Sequence, residues 1–252
     1  FERLGAAVES IHNDPDGINI NDQCGSQHTQ DLSARVVAAG ADAGLAFDGD
    51  GDRLIAVDEK GGELTGDQIL AICAKAYKDK GVLAGNCVVA TVMSNFGFHA
   101  AMKSLGIETE TVGVGDRKVL ELMQRNAAVL GGEDSGHMIF LDCHTTGDGI
   151  VSGLKLMQVL KESSGGLSDL AQILTPYPQK LINVDVSQKP PVDEVEGIAK
   201  AVAEAEAELG REGRILIRYS GTQPMCRVMV EGPTEQQTNA IAERLAGVVK
   251  EC

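Results

Sequence analysis

The sequence predicts an α/β protein in which mixed, mainly parallel three-layer α/β/α domains are followed by a small α+β domain with an antiparallel sheet. Up to about residue 177, short apolar runs alternate with helical stretches of roughly 10 to 15 residues, a pattern typical of parallel sheets covered by helices. After Pro176 and Pro178 the order changes to strand, helix, two adjacent strands and helix. Two strands joined by a tight loop favour an antiparallel sheet.

The first predicted segment, residues 1–58, reads as part of an α/β unit. Its helical stretch, 29–40, ends at Gly40, a residue type that commonly stops helices. Short apolar runs flank this helix at 6–11, 43–47 and 54–57. The chain starts at Phe1 as if partway through a helix. We therefore expect this segment to be the remainder of a larger domain whose earlier portion precedes it.

The second predicted segment, residues 59–177, repeats the alternation at greater length, and the third, residues 178–252, is the small α+β domain. In the second segment we predict helices at 65–81, 95–106, 116–126 and 148–163, and strands at 86–92, 108–114 and 127–133. In the third segment we predict strands at 181–186, 214–219 and 225–231, and helices at 192–209 and 234–249.

Charge and composition exclude several classes of function. The formal net charge is -15, which repels nucleic acid and anionic membranes. No apolar run approaches the ~18 residues that cross a bilayer, and no secretory leader is visible, so we expect a cytoplasmic protein without membrane partners. The six cysteines are scattered without metal-site spacing, and we interpret them as reduced thiols.

The stretch "FDGDGDRL" at 47–54 predicts a divalent-cation site. Asp48, Asp50 and Asp52 supply hard oxygen ligands at every second position, and the intervening glycines let the backbone curl so that the side chains converge. Three carboxylates leave coordination positions open on Mg²⁺ for a phosphoryl oxygen. Arg53 can hold another oxygen of the same phosphate.

A calcium-binding EF-hand loop is the rival interpretation of this stretch. Aspartates at positions 1, 3 and 5 fit it, as does Glu59 at position 12. Position 6 does not, because Arg53 stands where the turn requires glycine, and the following residues, 54–57, read as a strand where the EF-hand needs a helix. A solvated acidic turn would carry uncompensated repulsion between its carboxylates.

The stretch "GGEDSGH" at 131–137 follows a predicted strand and presents Glu133, Ser135 and His137. Ligands gather at the carboxyl ends of strands in open α/β sheets, and these three side chains suit hydrogen bonds to sugar hydroxyls or an amino group. A serine hydrolase is disfavoured because the G-x-S-x-G turn is absent. A plain β-turn stays an alternative on this motif alone.

The stretch "RYSGTQP" at 218–224 joins two predicted strands and has the composition of an anion site. Its amides, hydroxyls and guanidinium groups can cradle a phosphate. The candidate residues are Arg218, Ser220, Gly221 and Thr222, with Arg227 farther along the second strand. Taken alone, the motif also fits an ordinary hairpin.

An aspartate metal loop, a Gly-Glu-x-Ser-Gly-His loop and an Arg-x-Ser-Gly-Thr loop in this order resemble the α-D-phosphohexomutase family. The resemblance covers essentially all 252 residues. Within the family, further segments resemble the bacterial branch that acts on glucosamine phosphates more than the glucose or mannose phosphate branches. These segments are 15–22, 24–26, 114–117 and 145–149.

The resemblance implies an isomerase that interconverts glucosamine 6-phosphate and glucosamine 1-phosphate through glucosamine 1,6-bisphosphate and a Mg²⁺-bound phosphoserine. It implies that Asp48, Asp50 and Asp52 hold the metal while Arg53 contacts the transferring phosphoryl group. The sugar would be bound by Glu133, Ser135 and His137, and the non-reacting phosphate by Arg218, Ser220, Gly221, Thr222 and Arg227. Arg117, at a predicted helix start, is a further substrate candidate.

The chain also departs from the family pattern. Gln223 stands where glutamate usually follows Ser-Gly-Thr, and Lys118 stands where an aromatic residue is common. The family's phosphoserine, in a Ser-His-Asn type loop, has no counterpart in this chain. We therefore expect an N-terminal domain of the same protein to supply it, and the chain alone to lack turnover. The alternatives are a non-catalytic sugar-phosphate-binding module, or a mutase of glucose or mannose phosphates.

Overall fold

The computed structural model describes residues 1–221 and 223–251. The chain forms two compact units: one of Phe1–Ser94 with Phe98–Thr175, the other of Asn95–Gly97 with the chain from Pro176 onward. The predicted phosphate ligand Thr222 lies outside the described residues, as does Cys252. Within the described part of the chain, no helix is long and apolar enough to cross a membrane.

The first sheet of the first unit is a three-stranded antiparallel sheet in the order β1-β2-β3. Its strands are β1 (Ala43–Phe47), β2 (Leu54–Asp58) and β3 (Glu63–Leu64). Helix α1 (Gln30–Ala39) precedes β1 and ends at Gly40 in the left-handed region, as predicted. The apolar run 6–11 forms no strand, and only a short 3-10 helix, Glu2–Leu4, occurs near it. This run is mostly exposed to solvent, and its residues pair with none of the strands in the described part of the chain.

The second sheet of the first unit has the order β5-β4-β6-β7 and is mainly parallel. Its strands are β4 (Cys87–Thr91), β5 (Glu108–Val112), β6 (Leu130–Gly132) and β7 (Met138–Phe140). β4 runs parallel to β5 and β6, whereas β7 pairs antiparallel with β6. The helices between them are α2 (Gly66–Asp79), α3 (Phe96–Ser104), α4 (Asp116–Asn126), α5 (Gly149–Glu162) and α6 (Leu167–Ala171).

Helix α2 is the centre of the apolar core of this unit. Thr65 caps its N-terminus by accepting a hydrogen bond from the Gln68 amide, and the Gln68 side chain accepts one from the Thr65 amide. Ten residues of α2 are buried, namely 66–74 and Tyr77. The apolar ones pack with residues of both sheets, including Leu54 and Phe140. Both faces of β2 are therefore buried, which fixes the position of the loop that precedes it.

The second unit is a three-stranded antiparallel sheet with two helices packed on one face. Its elements are β8 (Gln179–Asp185), α7 (Glu196–Leu209), β9 (Arg214–Tyr219), β10 (Met225–Glu231) and α8 (Glu235–Glu251), and the strand order is β8-β10-β9. Cys226, Val228 and Val230 of β10 point into the core with α8. A 3-10 helix, Val192–Glu194, replaces the first turn of the predicted helix, because Val195 has extended dihedrals.

The architecture confirms the predicted fold class: an α/β part with a mainly parallel sheet, followed by a small antiparallel α+β part. Among the strands and α-helices of the described residues, three short elements escaped prediction, namely β3, β7 and α6. Each is five residues or shorter, which is too short to show a period. The β1-β2 pair is antiparallel because its connection is only six residues, 48–53, whereas a parallel crossover needs about a dozen or more.

Candidate functional site

The three aspartates lie in the hairpin loop between β1 and β2, which we call the aspartate loop (residues 48–53). Phe47 and Leu54 form the last strand pair, so the loop starts immediately after the partly buried β1 and ends at the fully buried β2. The Asp48 carboxylate accepts a hydrogen bond from the Arg53 amide at 3.1 Å across the loop. Gly51 adopts a left-handed φ of 73° inside it. Residues 54–58, which follow the loop, form the strand β2 and not a helix. This agrees with the sequence argument against an EF-hand.

One carboxylate oxygen from each of Asp48, Asp50 and Asp52 lies within 4.8 Å of the others. Arg53 is the cation beside them, with Nε at 3.8 Å from Asp48 and 3.9 Å from Asp52. Three carboxylates and one guanidinium leave two formal negative charges. A divalent cation matches that charge, and carboxylate oxygens are the ligands Mg²⁺ prefers.

Two polar atoms at this cluster are buried and lack a hydrogen-bond partner within residues 1–221 and 223–251. They are Oδ1 of Asp52 and Nε of Arg53. A buried polar atom without a partner costs free energy of about 1 to 3 kcal/mol. A bound cation would satisfy Oδ1 of Asp52, and a bound anion would satisfy Nε of Arg53. The residues present therefore fit a metal-bound phosphate.

The loop of residues 133–137 connects β6 to β7 and lies directly against the start of β2. The Leu54 amide donates to the Gly136 carbonyl at 3.0 Å, and Arg53 and His137 form an isolated antiparallel bridge. Gly136 has a φ of 91°, and a Cβ there would lie 2.2 Å from the Leu54 carbonyl oxygen. Only glycine permits this approach. The structure thus brings the predicted sugar loop and the aspartate loop together.

The three candidate side chains of this loop are placed differently. Ser135 is exposed, and Glu133 is half-buried with Oε1 accepting a hydrogen bond from the Gly115 amide at 3.0 Å. His137 is only 3% exposed, and its Nδ1 lies 3.0 Å from Oδ2 of Asp52. Ser135 and Arg53 also line a pocket of about 200 Å³, together with Ser26, Gln27, Ile55, Glu63, Thr65 and Asp134.

Arg117 stands apart from these side chains in the structure. It lies in the first turn of α4, its side chain is 87% exposed, and its Nε donates to Glu121 at 2.8 Å one turn later. Gly115, immediately before the helix, contacts the 133–137 loop through the Glu133 carboxylate. The backbone of this turn, rather than the arginine, therefore reaches the site.

Two glycines before α5 complete the surroundings of the aspartate loop, and the sequence analysis did not assign them a role. A Cβ on Gly147 would lie 2.4 Å from Cε1 of His137 and 2.5 Å from its Nε2. The Gly149 amide donates to the Gly51 carbonyl at 2.9 Å, and a Cβ on Gly149 would lie 2.7 Å from the Arg53 carbonyl oxygen. The sequence does contain a signal for them: the two glycines lie on either side of Asp148, the residue that caps α5.

The second unit carries the anion loop (residues 220–224), at the tip of the β9-β10 hairpin. The Ser220 amide donates to the Met225 carbonyl at 2.8 Å, and its Oγ accepts from the Gln223 amide at 3.2 Å. Arg218 faces Arg227 across the ladder, on the sheet face opposite the helices. Like charges directly opposite each other are unfavourable without an anion between them. Nε of Arg227 is buried without a partner among the described residues.

Lys189 is a further cation at the anion loop, and the sequence analysis missed it. Its Nζ donates to the Ser220 carbonyl at 2.6 Å from the segment that follows β8. Nothing in the local sequence "SQKPPVD" resembles an anion motif, so only the folded structure reveals that Lys189 lies at this loop. Lys189 brings a third positive charge to the residues predicted to bind phosphate.

Comparison with known proteins identifies the family. Three profiles of the phosphoglucomutase/phosphomannomutase family match the chain: α/β/α domain II at residues 1–62, α/β/α domain III at 65–177, and the C-terminal domain at 181–248. Phosphoglucosamine mutase of Syntrophobacter fumaroxidans is 56% identical over 99% of the chain, and that of Syntrophus aciditrophicus is 54% identical over 100%. The chain spans about half of each relative, 56% of its length.

Solved structures share the fold at lower identity. The N-acetylphosphoglucosamine mutase of Aspergillus fumigatus in complex with GlcNAc-6P and magnesium is 20% identical, with a TM-score of 0.74 over 91% of this chain and 57% of that one. The same fungal enzyme in complex with glucose 1,6-bisphosphate gives a TM-score of 0.69 over 92% of this chain and 53% of that one, also at 20% identity. The profile matches confirm the family resemblance: the chain belongs to the phosphoglucomutase/phosphomannomutase family.

Proposed function

We propose that this chain is the sugar-phosphate-binding part of a phosphoglucosamine mutase, an isomerase that interconverts glucosamine 6-phosphate and glucosamine 1-phosphate through glucosamine 1,6-bisphosphate. The observation that carries the proposal is the carboxylate cluster of Asp48, Asp50 and Asp52, whose ligand atoms lie within 4.8 Å of one another. The names of the relatives that match the full chain at 54 to 56% identity support the substrate.

In this proposal the aspartate loop holds Mg²⁺ through Asp48, Asp50 and Asp52. The two uncompensated negative charges and the partnerless Oδ1 of Asp52 support a divalent cation there. When bound, Mg²⁺ neutralises charge on phosphoryl oxygens. A related enzyme of the same fold was crystallised with magnesium.

The side chains around the aspartate loop orient the transferring phosphoryl group and the sugar. Arg53 lies 3.8 to 3.9 Å from two of the aspartates, with a side chain that is 39% exposed, so its guanidinium can bind phosphoryl oxygens beside the cation. The 133–137 loop binds the sugar, with Ser135 and Glu133 nearest to solvent. The remaining candidates for this role are His137, which is buried, and Arg117, which is exposed and paired with Glu121.

The anion loop holds the phosphate that does not react. Arg218 and Arg227 share one face of the sheet, and Ser220 is fixed by its hydrogen bonds to Gln223 and Met225. The proposed ligands are Arg218, Ser220, Gly221, Thr222 and Arg227. Phosphoryl transfer depends mainly on positioning and on neutralising charge, and these residues supply both.

The phosphorylated serine is assigned to a further domain, because residues 1–252 contain no Ser-His-Asn type loop. The experiment joins this chain to the part of the Syntrophobacter fumaroxidans enzyme that it does not match and measures glucosamine 1-phosphate formation. We expect Mg²⁺-dependent turnover by the fusion, and none by the fusion carrying Asp50→Asn. A folded fusion that binds glucosamine 6-phosphate but forms no product would contradict the proposal.

Substrate choice within the family is tested with the same fusion. We expect kcat/KM to be highest for glucosamine 6-phosphate among the glucosamine, glucose and mannose 6-phosphates, since the relatives matched over the full chain carry the glucosamine name. A preference for glucose or mannose phosphate would place the chain in another branch of the family. Binding of all three sugars without turnover of any would indicate a sugar-phosphate-binding module.

A further inference from the structure

We propose that Lys189 is a positioning residue of the anion loop, and that it acts by fixing the peptide bond between Ser220 and Gly221. Through this peptide bond it aims the Gly221 amide at the phosphate. The inference rests on the proposed phosphate site in the anion loop. It adds to that site a residue from a separate segment, 31 positions from Ser220.

The contact that carries the inference joins the lysine to a backbone carbonyl. Nζ of Lys189 donates to the Ser220 carbonyl oxygen at 2.6 Å. The peptide bond that follows is trans, so the C=O of Ser220 and the N–H of Gly221 lie in one plane and point in opposite directions. Because the carbonyl is held on the side of Lys189, the Gly221 N–H is turned to the opposite side of the loop.

The Gly221 amide is available to an anion. Within residues 1–221 and 223–251 it has no hydrogen-bond acceptor. Gly221 is exposed, and a Cβ there would meet no atom within 4 Å, so a ligand has room to approach the amide. Ser220, by contrast, is only 6% exposed, and its amide donates to the Met225 carbonyl. Gly221 therefore supplies a backbone donor that Ser220 does not.

The segment that carries Lys189 is itself fixed against the anion loop. The Val186 amide donates to the Pro224 carbonyl at 3.0 Å, so this segment contacts the other end of the loop as well. Pro190 follows Lys189 directly and restricts it to extended backbone conformations. Lys189 thus reaches Ser220 from a backbone with few alternative conformations, which lowers the entropic cost of the contact.

The charge of Lys189 also strengthens the donor that it orients. Hydrogen bonds in a chain polarise one another, so a cation on the Ser220 carbonyl makes the Gly221 N–H a better donor. Arg218 and Arg227 pair across the same hairpin and add two guanidinium groups. We expect loss of the Lys189 contact to remove one hydrogen bond to the charged phosphate, which corresponds to an affinity about 10-fold weaker.

The test measures glucosamine 6-phosphate binding to the 252-residue chain by NMR titration, which gives the dissociation constant and observes the Gly221 amide directly. Lys189→Met removes the charged donor and keeps a long side chain. We expect about 10-fold weaker binding and a smaller downfield shift of the Gly221 amide proton on binding. Lys189→Arg, which returns a charged donor, should recover most of both. Lys200→Met, at an exposed lysine of α7, is the matched control and should change neither.

Ionic strength separates positioning from general attraction between charges. Attraction through solvent is screened, with a Debye length of about 10 Å at 0.1 M salt and about 3 Å at 1 M. We expect the ratio of the dissociation constants of Lys189→Met and the unmodified chain to be the same at both salt concentrations. A ratio that falls to one at 1 M salt overturns the inference. So does a Gly221 amide that shifts equally in Lys189→Met and in the unmodified chain.

Failure to fold and failure of the phosphate site have separate signatures. Lys189 is exposed, so Lys189→Met should keep the melting temperature of the unmodified chain. If it does not fold, Lys189→Ser, which is polar and too short to reach Ser220, takes its place. Glucosamine 6-phosphate that binds without shifting any amide of the anion loop, or that binds Arg227→Met with unchanged affinity, overturns the proposed phosphate site and this inference with it.

Discussion

The aspartate loop and the anion loop are both tips of antiparallel hairpins, but they are stabilised in different ways. The aspartate loop is held from outside, by Gly136, His137 and Gly149 of two later segments of the chain. The anion loop is held by bonds of its own hairpin, such as that from the Gln223 amide to Ser220, and by one other segment, in which the Val186 amide donates to the Pro224 carbonyl and Nζ of Lys189 to the Ser220 carbonyl. One hairpin concentrates negative charge and the other positive charge.

This difference indicates how each loop depends on the rest of its unit. A loop with three carboxylates repels itself, so neighbouring segments must fix its side chains before a cation arrives. A loop of amides and hydroxyls needs less support, because its donors are set by the backbone of the turn. Changes in neighbouring segments should therefore damage the aspartate loop most, whereas the anion loop should respond to changes in its own residues and in the single segment after β8 that contributes Lys189.

The largest expected effect comes from Gly136→Ala. A Cβ at this position would lie 2.2 Å from the Leu54 carbonyl oxygen, at a φ of 91°, so we expect a loss of about 3 kcal/mol or more in the free energy of unfolding of the first unit. Gly221→Ala in the anion loop is the matched control, because a Cβ there meets nothing within 4 Å, and we expect a change below ~0.5 kcal/mol. Urea unfolding followed by NMR peak intensities reports each unit separately. Equal changes in the free energy of unfolding for the two substitutions would contradict the proposed difference between the two loops.

The second effect concerns the charge of the aspartate loop. Asp50 is the exposed member of the carboxylate cluster, so Asp50→Asn removes a ligand with little effect on packing. We expect Mn²⁺ affinity to fall by more than the ~10- to 100-fold that loss of an outer-shell partner costs. Titration calorimetry measures it, and glucosamine 6-phosphate binding without metal serves as the control that the chain is folded.

The third effect concerns the charge of the anion loop. Arg227 has a buried Nε without a partner among the described residues and faces Arg218, so Arg227→Met should weaken glucosamine 6-phosphate binding about 10-fold while Mn²⁺ affinity is unchanged. Arg244→Met, at an arginine of α8 paired with Glu208, is the matched control. Unchanged sugar-phosphate affinity in Arg227→Met would show that the phosphate binds elsewhere.

The smallest expected effect concerns the stability, at low pH, of the unit that carries the aspartate loop. β2 continues into Glu59, whose carboxylate accepts from Oγ of Ser168 at 2.5 Å and from its amide at 3.1 Å in the first turn of α6. The Ser168 hydroxyl lowers the pKa of Glu59 to about 2. A lowered pKa stabilises the fold above pH ~4.5, and this contribution is lost as pH falls toward 2.

Glu59→Gln should therefore lower the free energy of unfolding by about 1 kcal/mol near neutral pH and by progressively less below pH ~4.5. Urea unfolding at several pH values, followed through peaks of the first unit, measures the difference. A difference that persists unchanged at pH 2 to 3 would show that the charge of Glu59 is not its source. The second unit, which lacks this contact, should unfold identically in both proteins.

The sequence predicted the features of the fold that depend on local patterns. α4 was predicted at the bounds the structure shows, and α1 ends at Gly40 as expected. The chemistry of the aspartate loop was also readable, because its three candidate ligands are two residues apart. The direction of β1 and β2 could have been deduced as well, since six residues cannot form a parallel crossover.

The contacts that complete the two loops were not predictable from one sequence, because they join distant segments. His137 reads as an exposed residue of a glycine-rich loop, and only the fold shows it buried against Asp52. Lys189 lies in a segment without any anion motif and reaches Ser220 only through the packing of the second unit. The apolar run 6–11 resembles the runs 43–47 and 54–57 that form strands, but it forms none, and composition alone does not distinguish them.

Paramagnetic broadening by Mn²⁺ is the most direct test of the central claim that the aspartate loop is a cation site braced by the 133–137 loop. In the ¹⁵N spectrum of the chain, substoichiometric Mn²⁺ should broaden amides of residues 48–53 and 136–137 first, in a saturable way, and Asp50→Asn should abolish the effect. Broadening that is centred on other acidic residues, or that spreads evenly over the surface without saturation, would contradict the account.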